Sequence, residues 1–178
     1  MEARVIYMRA GVFTVVIASM IALTMVSCGG GPAKPSGPAA ATVDDLVGDW
    51  SATIVTVTEL CYPFTWSARP GGGGVTAPLG PENVGTLTGT LSNGSVSFSL
   101  DLPAGSAGPN ACAVSGSGIA SASQSEIIGD NFRLDFTPAC VGILLPSTTN
   151  DYNQRGTLTM RKSGLARPAC PAGFRIYD

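Results

Sequence analysis

The amino-acid sequence predicts an all-β domain, a small antiparallel up-and-down β-barrel, with a β-sandwich as the alternative. From Trp50 onward, apolar and polar residues alternate over short stretches that are rich in β-branched residues and glycine. No segment in this region has the apolar spacing of an amphipathic helix longer than one turn. About six to eight short strands with local connections are typical of both architectures.

The domain is expected to begin at residue 42 with one helical turn, Thr42–Val47, in which Thr42 is the N-cap and Asp45 follows three residues later. The first strand is predicted over Asp49–Thr58. Its inward face carries three apolar residues, Trp50, Ala52 and Ile54.

The clearest strand is Ser95–Leu102, in which apolar and polar residues alternate without a break. Asn93-Gly94 precedes it and favours a type I′ turn, because both central residues of that turn need positive φ. A hairpin closed at this turn places apolar positions opposite one another or opposite glycine: Leu91 with Val96, Gly89 with Phe98, Leu87 with Leu100, and Gly85 with Leu102.

A second hairpin is predicted from Ala111–Ser123 and Ile127–Ala139, with its loop centred near Glu126. That register sets Cys112 opposite Cys140, and small residues again meet large ones: Gly116 with Phe136, Gly118 with Leu134, and Ala120 with Phe132. Cysteines on neighbouring antiparallel strands come within disulfide range. A slip of two residues would preserve the faces but break this cysteine pair.

Four cysteines lie within the domain, which in an exported protein indicates two disulfides. Given Cys112–Cys140, the second pair is Cys61–Cys170 by elimination. The alternative is a four-thiolate metal site, but the sequence contains no Cys-x-x-Cys knuckle.

Two further strands complete the sheet, Arg155–Arg161 with Leu158 and Met160 inward, and a short Phe174–Tyr177. The predicted inward residues are large enough to fill a small barrel, which favours a packed interior. They are Phe98, Phe132, Phe136, Leu87, Leu91, Leu100, Leu134 and Met160.

The N-terminal residues resemble a bacterial lipoprotein signal: Arg4 and Arg9 precede the apolar run Ala10–Val26, which leads into Met25-Val26-Ser27-Cys28. The resemblance implies that residues 1–27 are removed and that Cys28 carries acyl chains such as palmitate. The alternative is an uncleaved transmembrane helix, for which this run is marginally long enough.

Residues 28–41 are expected to form the acylated cysteine and a flexible tether, because glycine, proline and alanine dominate and no large apolar side chain is present. Gly29 stands where an aspartate would resemble an inner-membrane retention signal. The expected location is therefore the cell envelope, at the outer membrane if the host has one.

Gly48-Asp49-Trp50, which follows the helical turn, resembles the Gly-x-Trp motif of lipocalins and their calycin relatives. In that superfamily the tryptophan closes one end of an eight-stranded barrel, and a basic residue after the last strand packs across it. The resemblance implies that Arg161 or Lys162 takes this role with Trp50, and that the barrel binds a small molecule.

Residues Tyr62–Asn83 are predicted to form a long loop, in which three aromatic residues and Arg69 precede the flexible Gly71–Gly74. Tyr62, Phe64, Trp66 and Arg69 are candidate ligand-binding residues of a lid. The alternative is that the rings cap the barrel as part of its core. The apolar loop Val141–Leu145 is expected at the same end.

Composition excludes several classes of function. The chain has no histidine, which excludes Ser-His-Asp triads and imidazole metal sites, and its net charge of −2 gives no electrostatic footprint for nucleic acid. No cofactor is predicted. We expect a membrane-anchored, non-enzymatic lipoprotein that binds a small apolar ligand or an envelope protein. The alternative is a structural lipoprotein without a ligand, and a remote alternative is a hydrolase using Asp130 and Asp135.

Overall fold

A computed structural model describes residues 41–79, 84–105 and 112–177, and within these ranges the chain forms one short α-helix, one 3₁₀ turn and nine strands. The helix α1 comprises Val43–Leu46. The strands are β1 (Gly48–Thr56), β2 (Leu60–Gly71), β3 (Gly74–Leu79), β4 (Gly85–Ser92), β5 (Ser95–Leu102), β6 (Val114–Ala122), β7 (Glu126–Phe136), β8 (Asn153–Lys162) and β9 (Arg175–Ile176).

Strands β1 to β8 close into an antiparallel barrel. Each strand pairs with the next along the chain, and β1 also pairs with β8, so that Trp50 lies between Trp66 of β2 and Lys162 of β8. The closure confirms the predicted up-and-down barrel and excludes the sandwich. The expected last strand is present as β9, which differs from the antiparallel prediction because it pairs in parallel with β2.

The helical turn before β1 is stabilised as its sequence predicts. The Thr42 side chain accepts a hydrogen bond from the Asp45 backbone amide, and the Asp45 carboxylate accepts one from the Thr42 amide at 2.8 Å. This reciprocal capping satisfies amides that a one-turn helix leaves without intrahelical partners. It fixes the conformation of the chain just before β1.

The hairpin between β4 and β5 is confirmed. Asn93 and Gly94 have φ values of 50° and 78°, as a type I′ turn requires. The pairs Leu91–Val96, Gly89–Phe98 and Leu87–Leu100 all form.

The predicted loop over Tyr62–Asn83 is wrong, because most of this segment belongs to β2 and β3. Gly72 and Gly73, both with positive φ, make a tight turn between these strands rather than a flexible tract. On β2 the inward positions are Leu60, Tyr62, Phe64, Trp66 and Ala68.

The predicted register between β6 and β7 is also wrong. Gly116 pairs with Leu134 rather than with Phe136, a slip of two residues that keeps the inward faces. Farther along, β7 has one extra residue at Asp130-Asn131. Between successive paired positions it is one residue longer than β6 on one side and one residue longer than β8 on the other. At this β-bulge both side chains point outward. Before the bulge the odd-numbered positions Ile127 and Gly129 face inward, and after it the even-numbered positions Phe132 and Leu134 do.

Both predicted disulfides are confirmed, Cys61–Cys170 and Cys112–Cys140. The slip in register does not break the second pair, because neither of its cysteines belongs to the β6–β7 ladder. Cys112 precedes β6, and Cys140 lies in a 3₁₀ turn, Pro138–Cys140, after β7. The pairing therefore holds for a different geometric reason from the one predicted.

The C-terminal segment is fastened to the outside of β1 and β2. The Thr53 hydroxyl donates a hydrogen bond to the Pro168 carbonyl at 2.8 Å, and Cys170 is bonded to Cys61. The Tyr177 amide donates to the Cys61 carbonyl at 2.9 Å. Thr53 is consequently 1% exposed although its side chain lies on the outer face of the barrel.

The predicted signal segment and Cys28 lie outside the described residues, as does the tether apart from Ala41. Within the described ranges, no helix has both the length and the apolar character needed to cross a membrane.

Candidate functional site

One end of the barrel is closed by Trp50, which is 1% exposed. Its indole nitrogen donates to the Leu46 carbonyl at 2.9 Å, so that α1 and β1 are joined. The Lys162 ammonium lies 5.5 Å from the centre of the Trp50 ring and donates to the Asp45 carbonyl at 2.8 Å. The residue that packs across the tryptophan is therefore Lys162.

The assignment of Arg161 to this role is wrong. Its side chain faces outward and forms an ion pair with Glu126 at 2.9 Å. Lys162 shares the inward parity of Leu158 and Met160, whereas Arg161 alternates with them.

Tyr62 lies among aromatic and loop residues that cover the barrel. Its ring is 5.6 Å from that of Tyr177 and 5.8 Å from that of Phe136. Its hydroxyl donates to the Leu144 carbonyl at 2.7 Å, which places the Val141–Leu145 loop against Tyr62. Burial raises the pKa of the Tyr62 hydroxyl above its usual value of 10.0, with a smaller contribution from Tyr177. This hydroxyl therefore stays protonated and serves as a donor.

Trp66 and Phe64 point into the barrel, while Arg69 is exposed on the outer face of β2. The Trp66 ring packs edge-on against Phe98 at 5.7 Å. Its indole nitrogen is buried and has no hydrogen-bond partner among the described residues. The four residues predicted as one binding surface thus do not form a lid, and a binding role for them stays a prediction.

The barrel carries a groove of about 590 Å³ on its outer surface, across β5 to β8 at the bulge in β7. Two isoleucines in its lining are exposed, Ile119 of β6 by 66% and Ile128 of β7 by 41%. The outward faces of β4 and β5 consist mainly of serine and threonine. The groove therefore combines concavity and exposed apolar surface on an otherwise hydroxyl-rich wall.

The lining of the groove also contains three charged side chains, Asp130, Arg133 and Arg155. Arg133 and Arg155 lie directly opposite each other on β7 and β8. Arg133 forms an ion pair with Asp135 at 2.9 Å. Among the described residues, neither Arg155 nor Asp130 has an ion-pair partner.

Sequence reasoning missed this groove. A signal was present, because the alternation that places Ile127 and Gly129 inward fails at Asp130-Asn131 and resumes with Phe132. Two consecutive polar residues inside a strand that is otherwise alternating indicate a bulge.

The structure resolves the alternative roles of the cysteines. All four domain cysteines are oxidised in pairs, which excludes the four-thiolate metal site. Among the described residues, no group of three histidine, cysteine, aspartate or glutamate side chains lies close enough together to hold a metal ion.

Comparison with known proteins gives little similarity. No protein-family model matches the chain, and no curated protein matches it. A solved structure described as EF1p2_mFAP2b bound to DFHBI is similar at 12% identity and a TM-score of 0.44, covering 67% of this chain and 95% of that chain. The fold assignment rests on the strand pairing described above.

Proposed function

We propose that the protein is an exported, lipid-anchored, non-enzymatic binding module of the cell envelope, and that it binds through the outer groove. The observation that carries the proposal is the exposure of Ile119 and Ile128 in a concavity beside Arg155 and Asp130, two charged residues without an ion-pair partner in the part of the chain that the structure describes. Exposed apolar surface that is rimmed by polar groups is typical of binding sites.

The disulfides support export. Cys61–Cys170 and Cys112–Cys140 need an oxidising compartment to form and persist. The lipoprotein-like residues that end at Cys28 are consistent with the same route. The proposed location is the envelope, at the outer membrane if the host has one.

The filled interior favours binding on the outside. Phe98 and Phe132 are each less than 4% exposed, and Phe132 presses against Gly116 and Gly118 of the neighbouring strand. A ligand inside the barrel would have to displace such rings, each of which contributes about 2–3 kcal/mol through burial. The outer groove needs no such displacement.

Replacing Cys28 by serine is expected to release the protein from membranes, because serine cannot form the thioether that carries the acyl chains. The measurement is the distribution of the full chain between membrane and soluble fractions after an alkaline wash. Ser36→Ala, in the same tether, is the matched control and should remain in the membrane fraction. Persistent membrane association of Cys28→Ser would instead indicate an uncleaved helix.

Replacing Ile119 by serine is expected to abolish saturable fluorescence of the neutral apolar dye Nile red with the full-length chain, since this change removes the most exposed apolar side chain of the groove. Val57→Ser, at a residue 79% exposed and absent from the groove lining, is the control and should leave the titration unchanged. Equal loss in both variants, or no saturable signal with the original chain, would contradict binding at the groove.

A structural envelope lipoprotein without a ligand is the second candidate, and the packed interior together with the two disulfides favours it. The remote hydrolase alternative finds less support, because Asp135 is held in an ion pair with Arg133 while Asp130 lies in the bulge, five residues earlier on β7.

A further inference from the structure

We infer that the outer groove, if it is the binding site proposed above, recognises a free α-amino acid with an apolar side chain. Its carboxylate would lie between Arg133 and Arg155, its ammonium at Asp130, and its side chain on Ile119 and Ile128. This assignment gives each charged and each large apolar group of the groove lining a partner.

The two arginines form the anion-binding part of the groove. They occupy directly opposite positions on β7 and β8, an arrangement in which like charges repel each other. Arg133 uses its Nε toward Asp135 and one terminal nitrogen toward Asn153, so other guanidinium donors remain. Arg155 is exposed and has no ion-pair partner among the described residues. A carboxylate between the two guanidiniums would relieve the repulsion and accept charge-assisted hydrogen bonds.

Asp130 forms the cation-binding part. Its carboxylate lines the same groove as Arg155, but the two are not joined in an ion pair. Because of the bulge, Asn131 also faces outward, so that a side-chain amide and the Asp130 carboxylate both line the groove. An ammonium has three donors, and these two side chains supply acceptors for it. Opposite charges that line one groove without pairing with each other complement a zwitterion better than a simple anion or cation.

The apolar part lies beside Asp130. Ile128 is two residues before Asp130 on the same face of β7, a distance of about 7 Å along a strand. Ile119 on β6 is adjacent to Gly129 on β7, because a Cβ at Gly129 would lie 2.8 Å from the Ile119 carbonyl oxygen. The groove volume of about 590 Å³ falls in the range of small-molecule sites. An aliphatic side chain reaching from Asp130 would therefore contact both isoleucines.

The test is isothermal titration calorimetry of the full-length chain with three ligands that differ in charge. Leucine carries both charges, N-acetyl-leucine lacks the ammonium, and leucinamide lacks the carboxylate. We expect leucine to bind in the millimolar range or tighter, and each blocked derivative to bind at least about tenfold more weakly.

Two variants assign the charges. Arg155→Gln and Asp130→Asn should each weaken leucine binding at least about tenfold. Arg69→Gln and Asp101→Asn alter exposed charges outside the groove and should leave leucine binding unchanged. All four positions are exposed, so thermal unfolding should be nearly the same for every variant.

Three results would overturn the inference: no leucine binding in the millimolar range, equal binding of a blocked derivative, or unchanged leucine binding by Arg155→Gln or Asp130→Asn. In each case the Nile red titration shows whether only the amino-acid ligand is wrong or whether binding at the groove is wrong as well. A saturable dye signal that Ile119→Ser removes and Val57→Ser keeps would leave the groove as a binding site for a different ligand. No saturable dye signal with the original chain, or equal loss in both variants, would remove the proposed function as well.

Discussion

Removal of the Cys61–Cys170 disulfide, by changing both cysteines to alanine, is expected to lower the free energy of unfolding by about 5 kcal/mol. The bond joins residues 109 positions apart, so its loss frees a large part of the unfolded chain. In the folded state it also fastens the C-terminal segment, whose Pro168 carbonyl is the acceptor for the buried Thr53 hydroxyl. Chemical denaturation of the variant measures the change.

The Cys112–Cys140 bond provides the matched comparison. Its cysteines are 28 positions apart, and the same loop-closure relation gives a smaller loss of about 3–4 kcal/mol for the double alanine variant. Cys61, Cys112 and Cys140 are buried while Cys170 is partly exposed, so the cavity left by the missing sulfur atoms should be no larger at Cys61–Cys170 than at Cys112–Cys140. If loss of Cys112–Cys140 were the more damaging change, the effect would come from the folded barrel end rather than from the unfolded chain.

The parts of the fold that could be predicted are those fixed by local chemistry. Asn93-Gly94 specifies its turn because of the backbone conformation the turn requires, and that turn sets the β4–β5 register. Cysteine pairing tolerated an error in register because Cys112 and Cys140 lie beyond the ends of their strands. Lys162 could have been preferred over Arg161, since Lys162 is two residues after the inward Met160 and therefore lies on the same face of the strand.

The parts that were not predicted depend on contacts between distant strands or on signals that neighbouring residues obscured. Period-two arithmetic across β6 and β7 assumes uninterrupted pairing, and the bulge at Asp130-Asn131 breaks that assumption. The groove arises from the same bulge and was missed with it. On β2, the inward alternation of Tyr62, Phe64 and Trp66 was a strand signal that the neighbouring proline and glycines concealed.

The barrel interior is built from aromatic rings set against glycine on the adjacent strands. Phe98 lies opposite Gly89 on β4 and Gly118 on β6, while Phe132 lies opposite Gly156 on β8. A ring fills the space that a glycine leaves, which is how a narrow barrel accommodates large residues. The tolerance of each glycine to a methyl group then depends on whether its neighbours are side-chain ends or backbone.

Gly156→Ala is accordingly expected to destabilise the barrel by about 3 kcal/mol or more, at the upper end of overpacking costs. A Cβ at Gly156 would lie 2.2 Å from the Val55 carbonyl oxygen and 2.9 Å from the Thr56 Cα, both backbone atoms of β1. Accommodating it requires β8 to move away from β1, which weakens the pairing that closes the barrel.

Gly89→Ala is the control, because its nearest neighbours are the side-chain atoms Phe98 Cε1 and Val96 Cγ1, each at 3.0 Å. Small rotations of these side chains can make room, so we expect a change within about 1 kcal/mol. Chemical denaturation of the two variants gives the comparison. If both variants lost the same free energy of unfolding, the backbones of β1 and β8 would separate as readily as a side chain rotates. Barrel closure would then not depend on the close approach of Gly156 to β1.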